Sequence, residues 1–150
     1  MIADALLTEL LLLRHGAEYF ALELTAAVEA MELPVLAPLP DAPAMLLGML
    51  PERGSAIPVF SASHILEVEG RARGGEVLVI VRDGDREVGL VVDEVEDVIM
   101  ANLSAMQQPI DSMRGQGVVR GLVRDGPRLI AVLDARAIVR IGARALPELA

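Results

Sequence analysis

The sequence contains no cysteine and no lysine, and all 13 of its Lys/Arg positions are arginine. Without cysteine there is no thiol nucleophile, no disulfide, no iron–sulfur ligation and no thiolate zinc site. Without lysine there is no Schiff-base chemistry and no phosphate-gripping P-loop lysine. Tryptophan is missing too, and one tyrosine with two phenylalanines leaves aromatics at 2%, too few for a base-stacking platform. The 22 acidic residues set the net charge at −9, which repels phosphate backbones. Both features argue against a nucleic-acid partner. The only histidines, His15 and His64, lie in different segments with no second ligand spaced helically from either, so no metal or other cofactor is expected. No run approaches the roughly 20 apolar residues a bilayer span requires. The opening "LLTELLLLRHG" is broken by Glu9 and ends on charge, unlike a secretory h-region. A cytoplasmic protein without membrane insertion is expected.

What the chain does have is aliphatic. Apolar residues make up 53% of it, so the core must be layers of Leu, Val, Ile, Ala and Met. A chain of 150 residues is expected to form one domain and to bury about 68–70% of its unfolded surface without staples. The segments "LLLLR" and "YFALEL" flank His15-Gly16, and "EVLVIVR" and "EVGLVV" flank Asp83-Gly84-Asp85. Both read as β-hairpins. The two hairpins superpose at an offset of 68 residues, with Arg14 on Arg82, Gly16 on Gly84 and Leu22 on Leu90. A second pair of segments, starting at Gly48 and Gly121, superposes at an offset of 73: Ile57 meets Ile130, Val59 meets Val132, Phe60 meets Leu133 and Ile65 meets Ile138. Two similar halves of short strands with Gly-rich turns predict two small β-barrels side by side. The expected subdomains span about 14–68 and 76–140, joined by the linker-like "EGRARGGE" (69–76). Helices should be few: one turn over "AMLLG" after Asp41-Ala42-Pro43, and a C-terminal helix after Asp134. The polar stretch 104–117 reads as a surface loop.

Three clusters invite chemistry. Asp93, Glu94, Glu96 and Asp97 are close in sequence, but in a strand Glu94 and Glu96 face one way and Asp93 and Asp97 the other. Neither a histidine nor calcium-loop spacing accompanies them, so a charged strand end is expected. His64 has Ser61 and Ser63 nearby, yet lacks the strand–elbow–helix context of an activated serine; it reads as a surface histidine, and His15 as a turn residue. In "MLPERGSAIPVF" (49–60), Arg53 stands on a sharp turn between apolar strands. Its five-donor fork suits an interface anchor, and the plainer reading is a solvated turn residue paired with Glu52.

Four blocks, in order, carry a family resemblance: "FALELTAAVEAM" (20–31), "PLPDAPAMLLGMLPERGSAIPVFSASHIL" (38–66), "VGLVVDEVEDVIM" (88–100) and "RLIAVLDARAIV" (128–139). In them the sequence resembles the chemotaxis coupling protein family, CheW-like adaptors. The resemblance implies two five-stranded SH3-like barrels over residues 1–150, no catalysis, and a bridge between a chemoreceptor's cytoplasmic tip and the regulatory domain of a histidine kinase. By motif position it implies receptor contact at Arg53, Gly54, Val28, Gly48 and Val77, and kinase contact at Met31 and Val28. The turn reads "PERG" where the family has "NLRG", and "VFSASHIL" lacks the aspartate of the family's "VxDL". A double-barrel module of a pilus or gliding pathway with a different partner is the alternative reading.

Overall fold

The computed structural model describes residues 7–52, 55–67, 76–109 and 117–145. Ten strands run in the order β1 (Thr8–His15), β2 (Glu18–Glu23), β3 (Ala27–Glu32), β4 (Leu46–Glu52), β5 (Ser55–Ser61), β6 (Val77–Asp83), β7 (Arg86–Val92), β8 (Glu94–Ala101), β9 (Val119–Asp125) and β10 (Arg128–Leu133). A one-turn helix α1 (Ala62–Ile65) follows β5, and α2 (Ala135–Ala145) follows β10. Both expected hairpins form, as β1–β2 and β6–β7. The expected turn of helix at "AMLLG" does not. Its residues enter β4, where Leu46 lies opposite Phe60 and is buried; strand pairing and core burial outweigh a weak local helix signal.

The strands form two five-stranded sheets, sheet one in the order β8-β1-β2-β10-β9 and sheet two in the order β3-β6-β7-β5-β4. Each sheet draws on both halves of the chain, so the division into 14–68 and 76–140 does not follow the sheets. The first hairpin joins the late strands β8, β9 and β10, and the second joins β3, β4 and β5. The reason is a pair of parallel contacts, β2 with β10 and β5 with β7. Parallel neighbours cannot be joined by a tight turn and need a long crossover, which here carries the chain through the other sheet. The repeat itself holds. Val59 lies opposite Gly89 and Val132 opposite Ala21, the same pair under the two sequence offsets.

Short bridges close each sheet. The Ala37 and Met49 backbones exchange two hydrogen bonds of 2.8 Å, linking the segment after β3 to β4. Gln107 and Leu122 do the same in sheet one, so part of the stretch expected as a surface loop completes a barrel. The two closing positions follow glycines for a steric reason. A Cβ on Gly48 would lie 2.8 Å from Leu36 Cβ and 2.9 Å from the Ala37 carbonyl, and one on Gly121 would lie 2.6 Å from the Gln107 carbonyl.

The central strands are buried on both faces, which accounts for runs such as "LLLL" and "VLVIV". Leu10 and Leu12 fill barrel one with Ala21, Ile130 and Val132, while Leu11 and Leu13 face the seam. Leu78 and Ile80 fill barrel two with Ile57, Val59 and Val91, while Val79 and Val81 face the seam. Phe60, Leu133 and the buried face of α2 complete that shared layer.

Candidate docking surface

Edge strand β3 pairs with β6 on one side only. Its register slips between Ala27, opposite Val81, and Glu29, opposite Ile80. Val28 is therefore the extra residue of a β-bulge, a device that re-aims a side chain at a sheet edge. It stands 41% exposed. Met31 lies opposite Leu78 and packs half-buried on the core of barrel two. Val77, at the start of β6, lies opposite Glu32 and Val92 and packs partly against the seam. The exposed carboxylates Glu29 and Glu32 flank these apolar groups, and such edge charge discourages indiscriminate strand pairing.

Of the residues singled out from sequence, Val28, Met31 and Val77 are thus gathered on β3 and its neighbour β6. Gly48 is buried on β4 with φ of 155°, where it makes room for barrel closure and offers no side chain to a partner. Arg53 and Gly54 lie outside the described residues. Sequence reading missed Leu47. It is the bulged residue between Leu46 and Gly48 on β4, at 40% exposure.

The repeat shows what is special about sheet two. The equivalents of Val28 and Leu47 at offsets of 68 and 73 are Glu96 and Arg120, and both sit at register shifts in sheet one. Each is ion-paired: Glu96 with Arg14 at 3.2 Å, and Arg120 with Glu23. The same two bulges therefore display carbon in one barrel and neutralised charge in the other. Comparing the repeats position by position would have revealed Leu47.

Only half of the expected alternation holds in the acidic cluster: Glu94 and Glu96 share a partner, but Asp93 is buried ahead of β8 while Asp97 is exposed beyond the bulge at Glu96. Glu94 and Glu96 both clasp Arg14, and the Glu94 hydrogen bond is the main reason its pKa is held above the ordinary arginine value. Asp97 Oδ1 accepts from the Val98 amide. Asp93 turns inward, is buried, and accepts from the Gly16 amide at 2.7 Å.

His15 is no exposed turn residue; it is fully buried. Its Nε2 lies 2.8 Å from Ser63 Oγ and its Nδ1 lies 3.6 Å from Asp93 Oδ1. The second gap exceeds a hydrogen bond, and Nδ1 has no hydrogen-bond partner. This trio clasps the first hairpin to α1 and the end of β7. His64, by contrast, is exposed, and it is Ser63 that turns to His15. Burial pushes the His15 pKa below 6.5; Asp93 opposes the shift and Arg14 adds to it. The unfolded chain therefore binds this proton more readily than the folded one, so stability falls as pH drops below 6.5. The slope contributed by one such group is at most about 1.4 kcal/mol per pH unit. Denaturant titrations of wild type and His15→Gln at pH values above and below 6.5 check this. The wild type should lose more stability on acidification than the variant, and equal losses would remove His15 from the account.

A family model for the CheW-like domain matches residues 9–142. The chain belongs to the CheW-like domain family. Curated relatives include the Chemotaxis protein CheW of Treponema pallidum (strain Nichols), 27% identical over 135 residues, which cover 84% of this chain and 78% of that one. Another is the Chemotaxis protein CheW of Rhizobium meliloti (strain 1021), 26% identical over 133 residues, covering 87% and 86%. Among solved structures, the scaffolding protein TtCheW from Thermoanaerobacter tengcongensis superposes with a TM-score of 0.78 at 18% identity, covering 89% and 88%. The likeness extends to the double-barrel fold. Family membership makes the chain a chemotaxis scaffold or adaptor, and the alternative of a divergent pilus or gliding module is not favoured. Among the described residues, no helix is long and apolar enough to cross a membrane.

Proposed function

We propose that this chain is a non-catalytic, cytoplasmic adaptor that joins the cytoplasmic tip of a chemoreceptor to the regulatory domain of a histidine kinase. The observation that carries this reading is the apolar bulge at Val28 on an edge strand, at the position where the other barrel holds an ion-paired glutamate. Adjacent apolar groups with a charged rim favour selective protein contact over chemistry. In this reading Val28 and Met31 meet the kinase domain, while Val28, Val77 and the Arg53-Gly54 turn meet the receptor, with Gly48 setting the backbone path that leads to the turn.

Arg53→Ala is expected to weaken receptor binding at least tenfold, a loss of about 2 kcal/mol for a modest hot spot, with the melting temperature nearly unchanged. Titration calorimetry against a receptor cytoplasmic fragment measures it, and wild-type affinity in the variant would refute the anchor role. For the kinase, Val28→Arg is more informative than a change at Met31, because Met31 also supports the core of barrel two. Co-elution with the kinase regulatory domain should be lost in that variant while the fold is kept.

A further inference from the structure

Helix α2 covers the seam with one face and presents the other to solvent. Its inner face is apolar, with Ile138, Val139 and Ile141 buried. Its outer face carries Arg136, Arg140 and Arg144, all exposed, one every four residues along about 12 Å of helix. The helix contains no acidic residue. Four arginines elsewhere are neutralised at close range: Arg14 by Glu94 and Glu96, Arg82 by Glu87, Arg120 by Glu23 and Arg128 by Asp125. The exposed Arg86 and Arg124 are single positions and form no row. Among the described residues, the three on α2 have no such partner.

Helix stability does not explain this row. Like charges four residues apart destabilise a helix, and Arg136 in the first turn opposes the positive end of the helix dipole. Only Arg144, in the last turn, is favoured by it. The Asp134 carboxylate, which accepts from the Ala137 amide at 3.1 Å, offsets the cost at Arg136. Nothing on the helix offsets the like-charge spacing of the row, and a local rule broken without compensation points to function. The surrounding charge reinforces the point, since the row is a cationic strip on a molecule of net charge −9.

We infer that the Arg136–Arg140–Arg144 row docks an acidic segment of a partner protein whose carboxylates repeat at the same interval of about 6 Å, one helical turn. Extended polyanions fit less well. A bilayer or nucleic acid presents negative charge to the whole acidic surface, whereas a compact acidic segment meets only the strip, within a screening length of about 8–10 Å. A membrane mode would also need apolar side chains beside the arginines to insert, and the large apolar groups of α2 point into the seam. Arg136 also lines a cleft of about 410 Å³, but Glu23, Asp83 and Asp134 share that lining with Arg82 and Arg120, so the cationic strip is the exposed face of the helix and not the cleft. The row shares no residue with the bulges at Val28 and Leu47, and its test does not depend on receptor or kinase.

The probe is a fluorescent alanine-rich helical peptide with glutamates at i, i+4 and i+8, compared with an isomer of the same composition whose glutamates are spread around the helix. Anisotropy on the intact chain should show the patterned peptide binding about tenfold more tightly, with the preference weakening at high salt. The triple variant R136Q/R140Q/R144Q should lose that preference, and its melting temperature should hold or rise because like-charge repulsion is removed. Arg124→Gln, an exposed arginine off the helix, should keep it. Should the triple variant fold poorly, Arg140→Gln alone is expected to remove about threefold of the preference. Equal binding of the two peptides overturns the proposal. So does an unaffected triple variant, or sedimentation with phosphatidylserine vesicles in place of peptide binding.

Discussion

Gly48→Ala is expected to lower the unfolding free energy by about 2–5 kcal/mol, the sum of backbone strain and overpacking. At φ of 155° the backbone is in a region that L side chains rarely adopt. The added methyl would also meet a backbone carbonyl, Ala37 O, at 2.9 Å. That carbonyl belongs to the bridge closing barrel two, so relief by movement breaks a pair of hydrogen bonds. Gly121→Ala provides the comparison, since its clashes are with the closing bridge of barrel one and with Met106, a flexible side chain. Denaturant unfolding of both variants measures the difference, with Gly121→Ala expected at about 1–3 kcal/mol. An unchanged Gly48→Ala midpoint would show that closure tolerates a side chain. The result also bears on function, because reduced receptor binding in such a variant reports a displaced strand and not a lost contact.

Phe60→Ala should cost about 3–5 kcal/mol, the range for deleting a buried aromatic ring. Phe60 is fully buried on β5, opposite Leu46 of β4 and Leu90 of β7. It belongs to the seam, which collects side chains from both sheets and from α2. A Cβ on Gly142 would come within 2.9 Å of its ring, which shows how closely the helix backbone approaches. Because every barrel shares that layer and each is built from both halves of the chain, the variant should still unfold in one transition seen alike by fluorescence of Tyr19 in sheet one and by far-ultraviolet dichroism. Two separated transitions would mean that the lobes fold independently and that the seam is a contact between finished domains.

The sequence offered candidate contact residues one at a time. The block "FALELTAAVEAM" and its family resemblance were enough to single out Val28 and Met31; that they stand on an edge strand is decided by the pairing of β3 with β6 alone. The bulge that turns Val28 outward could not be read, because a bulge is a mismatch between two strands and has no signature within one of them. Leu47 sits at a second bulge, but there the repeat held a signal, since at an offset of 73 it aligns with the charged Arg120. His15 followed a different course. Beside Gly16 it reads as a hairpin residue, and it does end β1, yet its burial depends on Ser63 and Asp93, 48 and 78 positions away.

Alternation, turn residues and the two offsets of 68 and 73 were sufficient for a duplicated, aliphatic, two-barrel protein, and the missing cysteine and lysine closed off much chemistry before any coordinate was known. Which hairpin enters which barrel was decided only in three dimensions. A strand's pattern states how many of its faces are buried but not which neighbour buries them. Burial on both faces is satisfied equally by adjacent and by exchanged strands. The parallel pairings of β2 with β10 and β5 with β7 select the exchanged arrangement, binding the beginning of the chain to its end.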